Sequence, residues 1–171
     1  MEYKTFETER LILRPISEND SELILELYNT PKFIKYIGDR NVRTVEDAKQ
    51  YIREKMIPQL QRLGYSNYVL IRKEDNQKIG TCGLFDREGL EGIDIGFAFL
   101  PEYEKMGFAF EASAKLKEVA FNEFDIKTIS AITAKDNFSS QKLIEKLGLR
   151  LIGTTKLPND DEELLVYKIE K

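Results

Sequence analysis

Apolar and polar residues alternate from Thr8 to Ile16 (TERLILRPI), and a period of two predicts a strand there. Ser17 followed three residues on by Asp20 reads as a capping box, opening a helix that runs through Tyr28 and breaks at Thr30-Pro31. A second box, Thr44 with Asp47, opens a longer helix in which Val45, Ala48, Ile52, Met56, Leu60 and Leu63 recur at three-to-four spacing up to Gly64. Pro58 lies inside it, has no N–H to give, and predicts a kink. From Ser66 the period returns to two, with strands over 66–73, 77–86 and 92–100. Asp75-Asn76 joins the first pair and a loop containing Gly89 and Gly92 joins the second, so the three form an antiparallel meander. A helix over 107–124, a strand 127–134, a helix 137–147 and strands 149–156 and 163–170 complete the chain, the last two separated by the turn-rich Leu157 to Asp161.

This order predicts an α+β fold, with a mixed, mostly antiparallel sheet and helices on both faces. The strands 92–100 and 127–134, linked by the 107–124 helix, form a parallel pair that splays at its carboxyl ends, where α/β crossovers make ligand crevices. The chain has 171 residues and shows no repeat, linker or low-complexity segment, so residues 1–171 are read as one domain.

Composition then narrows the chemistry. Twenty-six Lys and Arg against 30 Asp and Glu leave a net charge of −4, without the positive field that non-specific nucleic-acid binding uses. No apolar run approaches the roughly 20 residues of a membrane span, the start MEYKTFETER is not a signal peptide, and a cytoplasmic location is expected. With no His and the single Cys82, neither an internal disulfide nor a zinc site is expected. Chemistry must run on carboxylates, hydroxyls, lysines, backbone amides and a borrowed cofactor.

The segment IDIGFAFLPEYEKMGFAFEA, residues 93–112, is the most informative. Ile93, Ile95, Phe97 and Phe99 fall on one face of the strand; Asp94, Gly96, Ala98 and Leu100 fall on the other, which is small and open. After Pro101 the chain reaches Gly107-Phe108-Ala109, where unpaired N–H groups of a new helix favour a phosphate or pyrophosphate. Gly-x-Ala alone reads first as a tightly packed helix entry; its position beyond a parallel strand points to an anion site.

The sequence resembles the GNAT superfamily of N-acetyltransferases, and within it the RimJ/RimL-like branch of ribosomal-protein-alanine N-acetyltransferases. The resemblance rests on TERLILRPISENDSELILELYN, KIGTCGLFD, the 93–112 segment and NFSSQKLIEKLGLRLIG, in that order, and spans about residues 6–155. It implies an acetyl-CoA-dependent enzyme that acetylates a primary amine, a protein N-terminus or a small molecule, by direct attack in a ternary complex. The family's Gln/Arg-x-x-Gly-x-Gly/Ala loop falls on Glu104 to Ala109, which assigns Lys105, Met106, Gly107, Phe108 and Ala109 to cofactor binding. Glu104 departs from the pattern by placing a negative charge near the phosphates, and Lys105 is the nearest residue in sequence to offset it. Backbone at Phe97, Ala98 and Phe99 is expected to pair with the pantetheine arm and polarise the acetyl carbonyl.

Asn137 either caps the 137–147 helix, contacts the pantetheine, or does both. The family often carries a tyrosine in this helix as the thiolate's acid; the aligned position is Ile144, and Ser140 is the candidate substitute, against the alternative of a serine bonded to its own first turn. Asp94 is the first candidate for the base that takes the amine's proton, ahead of Glu91 and Glu111, with a plain ion pair as the competing role. Cys82, mid-strand, reads as a small hydrophobe, and Asp160 to Glu163 as a solvated turn or an acidic lip on the acceptor cleft. Residues 31–36 link the first two helices and wall the acceptor pocket by family analogy. No metal, membrane or direct nucleic-acid partner is expected, and a monomer or homodimer is. Two competitors remain: a catalytically weak CoA-binding sensor or interaction module on the same fold, drawn from Glu104 and Ile144, and more remotely a nucleic-acid-associated protein.

Overall fold

The computed structural model describes residues 2–171. The strand expected over 8–16 is shorter, β2 (Leu11–Pro15), and it folds back antiparallel on a two-residue β1 (Phe6–Glu7) that lies just ahead of the expected range. Thr8 makes the turn: its N–H donates to the Leu11 carbonyl at 2.9 Å and its hydroxyl accepts the Leu11 N–H at 3.0 Å. A side chain that satisfies nearby backbone in this way competes with the ladder. Both capping boxes form. Ser17 and Asp20 open a single 3-10 turn that continues as α1 (Ser21–Tyr28), and Thr44 and Asp47 open α3 (Val45–Tyr51).

Residues 31–36 are more than a link. Thr30 accepts the Phe33 N–H, Pro31 supplies the preset φ of a first helical residue, and a short helix α2 (Pro31–Tyr36) results. Pro58 acts one step earlier than a simple kink. Unable to donate, it is preceded by a π-turn over Ile52–Met56, where the Ile57 N–H reaches back five residues to the Ile52 carbonyl before α4 (Ile57–Leu63) resumes. Gly64, left-handed at φ 86°, ends that helix.

The meander is β3 (Asn67–Arg72), β4 (Gln77–Phe85) and β5 (Ile93–Phe99), followed by α5 (Phe108–Asn122), β6 (Thr128–Ala134), α6 (Phe138–Lys146), β7 (Arg150–Thr155) and β8 (Leu164–Glu170). All eight strands join one sheet in the order β1-β2-β3-β4-β5-β6-β8-β7, with β5 and β6 the parallel pair. Alternation along β3 shows how the sheet divides the core. Tyr68 and Leu70 pack with Leu11, Leu84, Ile95 and the α5 residues Phe108, Ala112 and Leu116. Val69 and Ile71 point to the other side, among Ile24, Leu27, Ala48, Ile52, Met56 and Leu100, under α1 to α4. Helices thus cover both faces, and the parallel pair β5 and β6 parts after two paired positions.

Candidate active site

The parallel pairing is brief. β5 and β6 are in register only at Ile93 with Ile129 and Asp94 with Ser130; on its other edge β5 pairs with β4 from Asp94 to Phe99. Beyond Asp94, β6 is paired with β8 alone, so the β6-facing edge of Ile95 to Phe99 is left as a half-ladder able to take an extended ligand as an additional strand. Phe97, Ala98 and Phe99 are half-buried along it.

At the open end of that edge the chain makes a 3-10 turn over Pro101–Tyr103 and enters the loop of Lys105 to Ala109. Lys105 at φ 61° and Gly107 at φ 82° are both left-handed, flanking Met106, and such alternation turns successive backbone N–H groups into one concavity. Glu111 is the first amide to bond back into α5, to the Gly107 carbonyl at 3.1 Å, so the N–H groups of Phe108, Ala109 and Phe110 belong to the unpaired first turn. The residues therefore fit a pyrophosphate: a backbone anion cradle at a helix N-terminus, continuous with a free strand edge.

Side chains from distant parts of the chain brace this cradle. Arg10 stacks its guanidinium 4.1 Å from the Phe108 ring centroid, donates to the Met106 carbonyl at 3.0 Å and pairs with Glu111 at 2.7 Å. A Cβ on Gly107 would meet Arg10 Nη2 at 3.3 Å, so glycine is needed for space as well as for φ. Burial alone would raise the Glu111 carboxyl, but bonds from Thr8 and Arg10 hold it below the ordinary glutamate value, which suits a brace and not a base. Glu104 corrects one expectation. Lys105 does not offset its charge; Lys32 of α2 does, at 2.6 Å. Neither Arg10 nor Lys32 was legible in sequence, because each meets the loop across a gap that only the folded sheet closes.

Asp94 sits where β5 and β6 begin to part. It is 2% exposed, and its Oδ2 accepts from Arg87 Nε at 2.5 Å while Oδ1 has no partner. Burial pushes its carboxyl up to about 6, against the pull of Arg87 and, last, of the Ile132 amide. An ion pair and a near-neutral proton affinity thus coexist in one group. Glu91 is exposed on the β4–β5 loop, its carbonyl taking the Ser130 hydroxyl at 3.0 Å.

In α6, Asn137 is the N-cap, accepting the Ser140 N–H at 3.4 Å. Ser140 is half-buried in the first turn, whereas Ile144 is 2% exposed and packs in the core. Cys82 is fully buried with its thiol pushed up to about 12, which leaves no nucleophile. In the 160–163 turn, Asp160 accepts the Glu162 N–H at 2.9 Å and Glu163 pairs with Lys135. Among the described residues no group of His, Cys, Asp and Glu could hold a metal, and no helix is long and apolar enough to cross a membrane.

A mixed sheet parted at one parallel pair, with an amide cradle at the mouth of the gap, is the architecture of an acetyltransferase. Residues 10–150 match the Acetyltransferase (GNAT) domain, and the chain belongs to that family. It is 27% identical to the uncharacterized N-acetyltransferase YoaA of Bacillus subtilis, over 90% of this chain and 87% of the relative. It is 31% identical to the uncharacterized N-acetyltransferase p20 of Bacillus licheniformis, over 88% and 84%. A GNAT-family acetyltransferase from Bacillus anthracis superposes with a TM-score of 0.79 at 26% identity, covering 98% of each chain. RimL, a ribosomal L7/L12 alpha-N-protein acetyltransferase solved with coenzyme A, superposes at 0.83 with 18% identity over 98% of each chain, a likeness of fold.

Proposed function

We propose that this acetyltransferase uses acetyl-CoA as donor and a primary amine as acceptor, transferring the acetyl group by direct attack with both substrates bound. The observation that carries the reading is the continuity of the anion cradle at Lys105 to Ala109 with the free edge of β5, ending at the buried Asp94. The eight strands of one sheet run from Phe6 to Glu170, which supports residues 1–171 working as one domain.

The chain's own groups divide the work. Amides from Lys105 to Ala109 hold the pyrophosphate, and backbone at Phe97 to Phe99 aligns the pantetheine and presents an N–H to the oxygen on which charge develops. Asn137 contacts the pantetheine while capping α6, and Ser140 hydrogen-bonds to the departing sulfur. Asp94, directly or through water, takes the proton that the amine must lose. The sensor reading loses part of its support, since Lys32 neutralises the Glu104 charge that counted against cofactor binding.

For the acceptor, the RimJ/RimL-like branch adds protein N-termini as one class. RimL, named above, and the ribosomal-protein-S5-alanine acetyltransferase from Vibrio fischeri (TM-score 0.74, 18% identity) support it by likeness of fold. The deciding experiment is thiol release from acetyl-CoA across peptides with free N-termini and small primary amines. Turnover on at least one is expected; binding of acetyl-CoA with no turnover on any of them would favour the sensor.

A further inference from the structure

Two buried side-chain oxygens lack a well-formed hydrogen bond among the described residues, Asn67 Oδ1 and Asp94 Oδ1, the Ile132 amide exerting only the weakest of the pulls on the Asp94 carboxyl. Their residues are 3% and 2% exposed, and an unpaired buried acceptor costs stability that an apolar side chain of the same shape would recover. The Asn67 amide is oriented by its other end: Nδ2 faces the Met56 sulfur at 3.8 Å, a weak acceptor and no donor, so Oδ1 is the end left over.

Register brings the two orphans to one strip of sheet. Asn67 is opposite Gly83, Gly83 is opposite Gly96, and Asp94 stands two residues before Gly96 on the same face, opposite Phe85. The strip has a floor of glycine, and one ring lies on it. A Cβ on Gly83 would meet Phe85 Cζ at 2.4 Å and Asn67 Oδ1 at 2.9 Å, and a Cβ on Gly96 would meet the same ring at 3.2 Å. Phe85 therefore occupies the space between the orphan oxygens. The ring is only half-buried, and its other neighbour is Arg87, whose guanidinium lies 5.2 Å from the ring centroid and also holds Asp94.

We propose that Asn67 binds the amine acceptor, and that the acceptor carries two N–H donor groups separated by about the width of an aromatic ring, as in a short diamine or a peptide N-terminus with its following amide. The amine lies at Asp94 Oδ1, the second N–H donates to Asn67 Oδ1, and the Phe85 ring turns off the glycines to admit the chain between them. This inference rests on the acetyl-transfer reading and supplies its substrate class.

The test uses Asn67→Leu, close in shape and unable to accept, beside Phe85→Leu, with putrescine, alanylalanine amide and butylamine as probes. Wild type should prefer putrescine or alanylalanine amide to butylamine by about tenfold in kcat/KM. In Asn67→Leu that preference should vanish through KM, with kcat and the KM for acetyl-CoA within about twofold, while Phe85→Leu keeps or lowers the amine KM. Without ligand, Asn67→Leu should unfold at the same or a higher temperature, and the preferred probe should raise the midpoint of wild type and not of the variant. A lower midpoint for ligand-free Asn67→Leu, an unchanged preference, or equal loss in both variants overturns the proposal. If wild type turns over none of the probes, the acetyl-transfer reading fails on that count, and the unfolding midpoints still decide whether Asn67 Oδ1 awaits a donor.

Discussion

Burial and the Arg87 guanidinium act on Asp94 in opposite directions, and burial wins, leaving a carboxyl that changes state at about pH 6. The folded protein then binds a proton that the unfolded chain, with an aspartate near its ordinary value, has already released. Between those two values stability falls as pH rises, and above about 6 the whole cost of the buried charge stands. Asp94→Asn should accordingly raise the unfolding midpoint at pH 8, a gain paired with lost function. In kinetics, kcat/KM of wild type should rise with pH through about 6, and Asp94→Asn should lose that inflection together with several-fold or more of its activity. Affinity for acetyl-CoA should hardly move. Equal activity in Asp94→Asn, measured across pH 5 to 8, would remove Asp94 as base and leave only its pair with Arg87.

At the scale of elements, the capping signals were read correctly. Ser17 with Asp20 and Thr44 with Asp47 cap the helices they announced, and Thr44→Ala should cost about 1 kcal/mol in urea denaturation. Thr8 and Pro58 show where periodicity was not enough: a hydroxyl holds a turn where the expected strand was to begin, and a missing N–H is preceded by a π-turn over five residues. The short helix α2 was read as a link because Thr30-Pro31 ends one helix and begins another. Its Lys32 ties it, through Glu104, to the loop that enters α5, and the consequence can be measured by a double-mutant cycle. Lys32→Ala should weaken acetyl-CoA binding about threefold to tenfold by leaving Glu104 bare beside the phosphates, and adding Glu104→Ala should restore it. Weakening by Lys32→Ala that persists in the double variant would show that Lys32 acts on the ligand directly.

Across the whole molecule, the backbone of the candidate site follows from local pattern and the side chains that gather around it do not. Gly107, Lys105 and the small-faced strand from Asp94 to Leu100 declare themselves by local pattern, since a left-handed turn and an open strand edge are properties of adjacent residues. Arg10, Lys32 and Arg87 reach the candidate site from the β1–β2 turn, α2 and the β4–β5 loop, with the proposed Asn67 on β3, and no spacing in the chain announces that convergence. The net charge of −4 adds an expectation at this scale: titration with RNA at low salt should stay flat. The cradle is the central feature, and isothermal titration of acetyl-CoA into wild type and Gly107→Val tests it most directly. One site per chain in wild type, weakened about tenfold or more in a variant that must strain a left-handed φ and crowd Arg10, is the predicted result. No heat of binding to wild type of unaltered circular dichroism, or equal binding by a folded Gly107→Val, would contradict it.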